Sequence, residues 1–328
     1  MTRFLTVRHE SWPLARPFAI SRGVKTSAEV LVVEIADGGS VGRGECVPYA
    51  RYGESVESVL AQIESVRDAI QAGAGRQELA SLLPAGAARN ALDCALWDMQ
   101  AKRTGRRAWE LAGLPPPPAL TTAYTLSLDS PEAMATAAAG QAARPLLKVK
   151  LAGDAMDRER VASIRAAAPM AKLIVDANEG ASPDTVQALC QAMADLGVAM
   201  VEQPVPAGQD QVLATFEHPL PICADEAFHT RADLGQIAER YDLVNIKLDK
   251  TGGLTEALAV LEDAERLGLD VMVGCMLGSS LAMAPATLVA ARASVVDLDG
   301  PLLLAKDREP ALTYDGSLLH PPPAALWG

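Results

Sequence analysis

The stretch LLKVKLAGDAMDRERVASIRAAAPMAKLIVD, residues 146–176, holds two short apolar strands with a helical stretch between them. The same alternation continues on both sides. The predicted strands are 121–128, 146–151, 173–176, 198–202, 221–225, 243–248, 271–275 and 295–299. Eight strands separated by helices are typical of a (β/α) barrel, so this part of the chain is expected to form an α/β fold of the TIM type.

Polar residues end five of these strands at a nearly constant interval. They are Lys150, Asp176, Glu202, Asp225 and Lys247. Successive members are 22 to 26 residues apart, which is about the length of one strand, one helix and two loops. Each side chain is therefore expected at the carboxyl end of its own strand, where the active sites of such barrels lie.

The first hundred residues follow a different pattern. The apolar run VLVVEI at 30–35 and the turn Asp37-Gly38-Gly39 predict an antiparallel sheet. Two amphipathic helices are predicted after it, one beginning at the N-cap Ser55 and ending at Gly73, and one spanning 88–105. Strands followed by helices indicate an α+β arrangement.

The proline run at 115–118 marks the predicted domain boundary, because it cannot continue a helix. We expect an amino-terminal α+β domain at 1–118, a barrel at 119–300 and a carboxyl-terminal segment at 301–328. The last segment is rich in proline and is expected to leave the barrel and pack on the first domain.

Composition restricts the classes of partner and the compartment. A net charge of −12 argues against nucleic acid and membrane surfaces and favours small-molecule partners, because anionic polymers and lipids recruit excess Lys and Arg. The five cysteines form no C-x-x-C pair and predict buried thiols in a reducing compartment. With no signal-peptide pattern and no membrane-length apolar run, the expected location is the cytoplasm. A homo-oligomer is left open.

Three carboxylates on consecutive strands predict a metal site. Asp176, Glu202 and Asp225 would repel one another strongly in one buried volume unless a cation lay between them. Hard oxygen ligands suit Mg²⁺. The alternative is that each carboxylate caps a helix or pairs locally, which becomes less favoured for three residues in register.

Two lysines flank these carboxylates and predict proton transfer. Lys148 and Lys150 project from the same strand face, and Lys247 is expected across the barrel from them. Like-charge repulsion from Lys148 and from a divalent cation would lower the pKa of Lys150 and allow it to act as a base. A metal also stabilises the enediolate that forms when a carbon beside a carboxylate loses its proton. Lysines on opposite faces then suit a racemase or epimerase, whereas salt bridges to the acidic ring are the structural alternative.

The last predicted strand carries a second acidic pair, Asp297 and Asp299, on one face. Such a pair suits a cationic group such as a substrate ammonium. A surface turn formed by Asp299-Gly300-Pro301 is the alternative.

Taken together, the motifs resemble those of the muconate-lactonizing branch of the enolase superfamily and, within it, of dipeptide epimerases that act on L-Ala-D/L-Glu. They are Lys148-x-Lys150, Asp176-Ala-Asn178, Glu202-Gln-Pro204, Ala224-Asp225-Glu226, Asn245-Ile-Lys247-Leu-x-Lys250-x-Gly252-Gly253 and Asp297-x-Asp299-Gly-Pro301. The likeness extends into the first domain at 48–55 and 83–93.

The resemblance implies a modified TIM barrel, (β/α)7β, with an α+β capping domain formed by the amino-terminal segment and the carboxyl-terminal tail. It implies one Mg²⁺ per subunit, an isomerase that epimerises the carboxyl-terminal residue of a dipeptide, and a role in recycling murein peptides. The implied metal ligands are Asp176, Glu202 and Asp225, with Asn178 and Glu226 beside them. The implied acid/base groups are Lys150 and Lys247. The implied substrate-binding residues are Lys148, Asp297, Asp299 and Arg22, the last for the side-chain carboxylate of the terminal Glu.

Two other readings remain open. The same barrel could host o-succinylbenzoate synthase or muconate cycloisomerase activity, whose substrates lack an ammonium group. It could also be a catalytically silent binding protein, although binding alone does not require two lysine bases. The segment 276–280 departs from relatives that carry an acidic residue there, so its role is not predicted.

Overall fold

The computed structural model describes residues 3–328. It opens with a three-stranded antiparallel sheet of β1 (Phe4–Ile20), β2 (Gly23–Asp37) and β3 (Ser40–Cys46). Side chains alternate between the two faces of a strand. Val30 and Val32 of β2 therefore enter the core shared with the barrel, whereas Leu31 and Val33 enter a separate core of the amino-terminal domain. This double burial explains why the VLVVEI run is almost continuously apolar.

Five helices complete the amino-terminal domain. They are α1 (Val56–Ser65), α2 (Arg67–Ala72), α3 (Arg76–Leu82), α4 (Ala87–Thr104) and α5 (Ala108–Leu111). The predicted cap is confirmed, because Ser58 N donates a hydrogen bond to Ser55 Oγ at 3.1 Å. The first predicted helix is interrupted at Val66, which leaves helical geometry with φ −107° and ψ 4°. The second ends as predicted at Gly105, which adopts a left-handed φ of 65°.

After the two-residue strand β4 (Leu120–Thr121), eight strands form one parallel sheet and are hydrogen-bonded in sequence order. They are β5 (Tyr124–Leu126), β6 (Leu146–Lys150), β7 (Lys172–Asp176), β8 (Val201–Glu202), β9 (Ile222–Ala224), β10 (Leu243–Ile246), β11 (Asp270–Gly274) and β12 (Val295–Asp297). Ala123 N donates to Val296 O at 2.8 Å and joins the first end of the sheet to the last. The predicted barrel is confirmed.

Helices follow the first seven barrel strands. The α-helices are α6 (Pro131–Ala139), α7 (Asp157–Ala167), α8 (Val186–Asp195), α9 (Leu234–Ile237), α10 (Leu248–Thr251), α11 (Leu254–Arg266) and α12 (Ser280–Ala290). The connection after β8 holds a 3-10 helix, Asp210–Thr215, instead of an α-helix. This is the (β/α)7β arrangement. Across residues 3–328, no helix has both the length and the apolar character needed to cross a bilayer.

The first barrel strand is shorter than the predicted 121–128. Leu120–Thr121 instead pairs with a carboxyl-terminal hairpin of β13 (Tyr314–Asp315) and β14 (Leu318–Leu319). Only two residues separate β4 from β5, so the apolar pattern of the sequence reads them as one strand. They are distinguished by the pairing of β4 with β14, far along the chain.

The end of the chain contacts the amino-terminal domain, as expected for a tail that contributes to the cap. Trp327 Nε1 donates to Cys94 O at 3.0 Å, and Gly328 N donates to Asp98 Oδ1 at 2.8 Å. Both acceptors lie on α4. The exact boundaries at residues 118 and 300 stay predictions.

Close contact between β3 and α4 depends on Gly44. A Cβ atom at Gly44 would lie 2.1 Å from Ala91 O, a backbone atom that cannot rotate away. We therefore expect Gly44→Ala to lower the free energy of unfolding by about 3 kcal/mol, measured by urea denaturation. Gly235→Ala is the control, because its methyl group meets nothing within 4 Å. Equal stability of the two variants would contradict this account of the contact.

Candidate active site

The structure brings the predicted strand-end residues together at the carboxyl ends of the barrel strands. Lys150 is in register with Asp176, and Asp176 is in register with Glu202. Asp225 directly follows β9, and Lys247 directly follows β10. All five residues are buried. The repeating spacing seen in the sequence thus corresponds to one shared site.

Two lysines of β6 pair with different parts of the acidic group. Lys150 Nζ lies 2.5 Å from Asp176 Oδ2. Lys148 Nζ lies 2.6 Å from Glu202 Oε2, 2.8 Å from Asp297 Oδ2 and 3.3 Å from Asp176 Oδ2. Lys148 therefore bridges the predicted metal ligands and the acidic pair of the last strand.

Lys247 and a lysine not predicted from the sequence hold Asp225. Lys247 Nζ lies 2.6 Å from Asp225 Oδ2, and Lys250 Nζ lies 2.6 Å from Oδ1 and 2.6 Å from the backbone oxygen. Lys250 is buried. Its position three residues after Lys247, on a short helix, was the available signal that both side chains point the same way.

The backbone after two of the predicted ligands is unusual. Asn178, Glu179 and Gln203 have positive φ values of 44°, 69° and 36° without being glycine. Such geometry costs free energy and is concentrated at functional sites. Gln203 Oε1 accepts hydrogen bonds from Asp225 N at 2.8 Å and Ala227 N at 3.0 Å. Gln203, which the sequence did not single out, therefore fixes the end of β9 and the position of Asp225.

The donor set fits a hard divalent cation. Among residues 3–328, buried Asn178 Oδ1 and Glu226 Oε2 have no hydrogen-bond partner, and Glu202 Oε2 contacts Lys148 without hydrogen-bonding geometry. Burial and nearby Asp176 raise the pKa of Glu202 to about 7. As the side chains stand, no three carboxylates among residues 3–328 lie close enough together to chelate an ion. Lysines instead contact the oxygens of Asp176 and Asp225. A cation would have to replace some of these lysine contacts.

The pKa of Lys247 differs from the sequence-based expectation for a lysine base. Burial lowers the pKa of Lys247, but the negative charges of Asp225 and Glu202 together outweigh this effect. The net pKa therefore lies above the ordinary lysine value. A divalent cation on the same carboxylates opposes that shift, since it neutralises the charge that stabilises the ammonium form.

Asp297 and Asp299 lie inside the site, which contradicts the alternative of a surface turn. The last strand is shorter than the predicted 295–299: it ends at Asp297, and Asp299 lies two residues beyond it. Asp297 and Asp299 are buried, and Asp299 Oδ2 accepts a hydrogen bond from Thr125 N at 2.6 Å. Burial and nearby Asp297 raise the pKa of Asp299 to about 7. Within the described part of the chain, Asp297 pairs with one cationic side chain, Lys148, and Asp299 pairs with none. The pair therefore retains capacity for another positive group.

Arg22 reaches the site from the turn between β1 and β2. Its guanidinium lies 2.8 Å from Glu226 Oε1 and donates to Asn178 O at 3.0 Å. Nearby, Arg51 pairs with Glu179 at 2.7 Å, a contact that the sequence did not predict. Arg22 therefore joins the amino-terminal domain to the two barrel loops that carry Asn178 and Glu226.

A cavity of about 510 Å³ opens above the lysines and Asp225. Its apolar wall includes Phe18, Ile20, Val24, Met276, Leu277 and Leu303. The amino-terminal domain supplies the first three, the loop after β11 supplies Met276 and Leu277, and the carboxyl-terminal segment supplies Leu303. The cavity is thus polar at its base and apolar around its rim, which suits a small molecule with several charged groups.

Comparisons with known proteins place this geometry in a family. Residues 2–113 match the Mandelate racemase / muconate lactonizing enzyme N-terminal domain, and residues 132–317 match the Enolase C-terminal domain-like family. The chain is 51% identical to L-Ala-D/L-Glu epimerase of Escherichia coli K12, covering 97% of this chain and 99% of that protein. It is 46% identical to N-acetyl-D-glutamate racemase of a Pseudoalteromonas species, covering 91% and 95%.

Solved structures agree. An enolase family member from Agrobacterium tumefaciens, described with bound sodium and L-Ala-L-Glu, superposes with a TM-score of 0.97 at 53% identity, covering 99% of this chain and 100% of that one. Structures of further dipeptide epimerases with this fold contain Mg²⁺ and a dipeptide. The chain belongs to the mandelate racemase/muconate lactonizing enzyme family of the enolase superfamily.

Proposed function

We propose that this chain is a Mg²⁺-dependent dipeptide epimerase that interconverts L-Ala-D-Glu and L-Ala-L-Glu. The observation that carries this proposal is the pair of buried lysines, Lys150 and Lys247, held on separate carboxylates of one site. An epimerase must remove a proton from one face of a carbon and return it to the other. Two lysines on different strands meet that requirement.

In the proposed site, Asp176, Glu202 and Asp225 hold the Mg²⁺. When bound, the ion supplies positive charge that stabilises the substrate carboxylate as negative charge develops beside it. Lys148, which already contacts Glu202 and Asp176, adds a fixed positive charge on the same side. Asn178 and Glu226 lie next to the ligands and help to orient them.

The two lysines move the proton at the α-carbon of the terminal residue. One of them, in its neutral form, takes the proton from its face of the substrate. The other, as an ammonium group, donates a proton from the opposite face. The roles exchange for the reverse reaction, so each isomer has its own base.

Substrate ends are recognised by opposite charges. Asp297 and Asp299 bind the free amino group of the dipeptide, since both are buried and, among residues 3–328, no cationic side chain forms an ion pair with Asp299. Arg22 binds the side-chain carboxylate of the terminal Glu. To do so it exchanges its contact with Glu226 for the substrate, and both residues line or adjoin the same cavity.

The biological setting proposed for this reaction is the cytoplasm, where L-Ala-D-Glu released from cell-wall peptides would be recycled. The support for this is the dipeptide itself, because D-Glu linked to L-Ala is a cell-wall component. The Escherichia coli relative is named for epimerisation of the same dipeptide, L-Ala-D/L-Glu.

Deuterium exchange tests the proposed activity. Purified protein with Mg²⁺ and L-Ala-L-Glu in D₂O should incorporate deuterium at the α-carbon of Glu and produce L-Ala-D-Glu, measured by NMR and chiral chromatography. Absence of exchange with all Xaa-Glu dipeptides would contradict the proposal. Turnover only of muconate, or only of the precursor of o-succinylbenzoate, would favour the cycloisomerase or the synthase reading.

The Pseudoalteromonas relative favours one second candidate, racemisation of N-acetylglutamate. N-acetylglutamate shares the carboxylates of the dipeptide but lacks an ammonium group. The acidic pair is therefore the part of the site that distinguishes the two substrates.

Asp299→Asn separates these two functions. The amide keeps an oxygen for Thr125 N but loses the negative charge. We expect kcat/KM for L-Ala-L-Glu to fall by about 30-fold or more, the value of a charge-assisted hydrogen bond, while turnover of N-acetylglutamate changes by less than about threefold. Steady-state kinetics with both substrates provide the measurement. Equal losses on both substrates would show that Asp299 does not recognise the amino group.

A further inference from the structure

The segment 275–280 forms one wall of the cavity through Cys275, Met276 and Leu277. It follows β11, and Gly274 at the end of β11 is in register with Asp297 on β12. The wall therefore stands beside the acidic pair. If the amino group of a dipeptide lies on that pair, the side chain of its first residue faces this wall.

The segment is anchored by a buried carboxylate from the amino-terminal domain. Glu45, on β3, is buried, and its Oε1 accepts a hydrogen bond from Ser279 N at 2.7 Å. Its Oε2 accepts a hydrogen bond from the Ser279 hydroxyl. Both oxygens of one carboxylate thus hold a single residue of the segment.

Arg308, from the carboxyl-terminal segment, completes this anchor. Its Nη2 lies 2.6 Å from Glu45 Oε2 and 2.9 Å from Glu10 Oε2, and its Nε donates to the Ser279 hydroxyl. The guanidinium also lies 5.1 Å from the centre of the Trp12 ring. Three regions distant in sequence therefore meet at Ser279.

The other side of the segment has little room to move. A Cβ atom at Gly300 would lie 3.2 Å from both Met276 O and Gly278 O. A Cβ atom at Gly278 would lie 3.1 Å from Glu45 Oε1. The segment is thus wedged between Glu45 and the loop that follows Asp299, and a change at either side shifts the wall.

We propose that Glu45, Ser279 and Arg308 are positioning residues that set the location of the segment 275–280 and thereby determine which side chain is accepted at the first residue of the dipeptide. This inference rests on the proposed dipeptide epimerase function. None of the three takes part in proton transfer, because none lies among the cavity residues. They act through Met276 and Leu277.

Kinetics on a series of dipeptides test this role. The variants are Ser279→Ala and Arg308→Met, with Arg308→Lys as the conservative replacement. The substrates are Gly-L-Glu, L-Ala-L-Glu and L-Leu-L-Glu, which differ only at the first residue. For Arg308→Met we expect KM for L-Ala-L-Glu to rise about tenfold with kcat within about twofold, and the Ala/Leu ratio of kcat/KM to change about tenfold. Arg308→Lys should restore most of that ratio.

Arg240→Met is the matched control. Arg240 pairs with buried Asp210 at 3.1 Å and lies just before β10, at the opposite end of the strands from the cavity. It should lower the melting temperature without changing the Ala/Leu ratio. This control separates a general loss of stability from a displaced wall.

An unchanged Ala/Leu ratio in folded Ser279→Ala and Arg308→Met overturns the inference, as does an equal fall in kcat for all three substrates. If Arg308→Met does not fold, Ser279→Ala decides alone, because it removes a single hydroxyl. A wild-type protein without exchange on any Xaa-Glu dipeptide overturns the proposed function and this inference together. Wild-type activity with unchanged variant ratios overturns only the inference.

Discussion

Replacing either Lys150 or Lys247 with alanine is expected to reduce epimerisation of L-Ala-L-Glu by about 10³-fold or more, because each isomer loses a general acid or base. The two variants should differ in a second measurement. Each lysine serves one face of the α-carbon, so one variant should still exchange the α-proton of the L,L isomer in D₂O, and the other that of the L,D isomer. Neither should interconvert the isomers.

The isomer-specific exchange distinguishes the two lysines better than the loss of epimerisation does, because any substitution that damages the site lowers turnover. Lys172→Ala is the control: Lys172 is exposed at the opposite end of β7 from Asp176. It should leave both reactions unchanged. If both active-site variants keep exchange of the same isomer, the two-base assignment is wrong. If either variant epimerises at the wild-type rate, the replaced lysine is not a required proton carrier.

Removal of the divalent metal is expected to abolish turnover while leaving the protein folded. The ion is proposed to supply several kcal/mol of charge stabilisation, so treatment with EDTA should lower kcat/KM by about 10³-fold or more, and Mg²⁺ should restore it. The fold should persist because Lys150 and Lys247 already compensate Asp176 and Asp225. Circular dichroism and activity assays on the same samples provide the measurement.

Thermal unfolding gives a readout of the metal site that does not depend on activity. Mg²⁺ at about 100 times its Kd should stabilise the wild-type protein by about 2.7 kcal/mol. Glu202→Gln should lose most of this increment, because it keeps the shape of the side chain but not its charge. Glu159→Gln, at an exposed position on α7, should retain it. Equal stabilisation of Glu202→Gln and wild type would exclude Glu202 as a ligand.

The prediction from sequence worked best where chemistry repeats along the chain. The length of one strand–helix unit sets the spacing of the five strand-end residues. This spacing therefore predicts that each residue lies at the end of its own barrel strand, with no knowledge of which residues are in contact. The apolar run at 30–35 correctly predicted a strand. The sequence alone did not show that two separate cores bury its alternate side chains.

Residues that act through distant partners were missed. Lys250 contacts the carboxylate of Asp225, and Gln203 accepts a hydrogen bond from its backbone N–H. The spacing of Lys250 from Lys247 was a signal for the first contact, but no local pattern indicates the second. Glu45 contacts Ser279 across 234 positions of the chain. No local pattern predicts such a pair, because hydrogen bonds of this kind depend on how two domains dock.

By itself, the sequence determined the barrel, the capping domain and the family to which the chain belongs. It also determined the order of the acidic and basic residues at the carboxyl ends of the barrel strands. These follow from periodic hydrophobicity and from motifs that are local in the chain. Only the tertiary structure decided which lysine pairs with which carboxylate, that Asp299 is buried, and that Arg22 lies against Glu226. The electrostatic energy of a buried ion pair depends on distances of a few ångströms between side chains from separate strands. These distances are fixed only when the strands pack together in the folded protein.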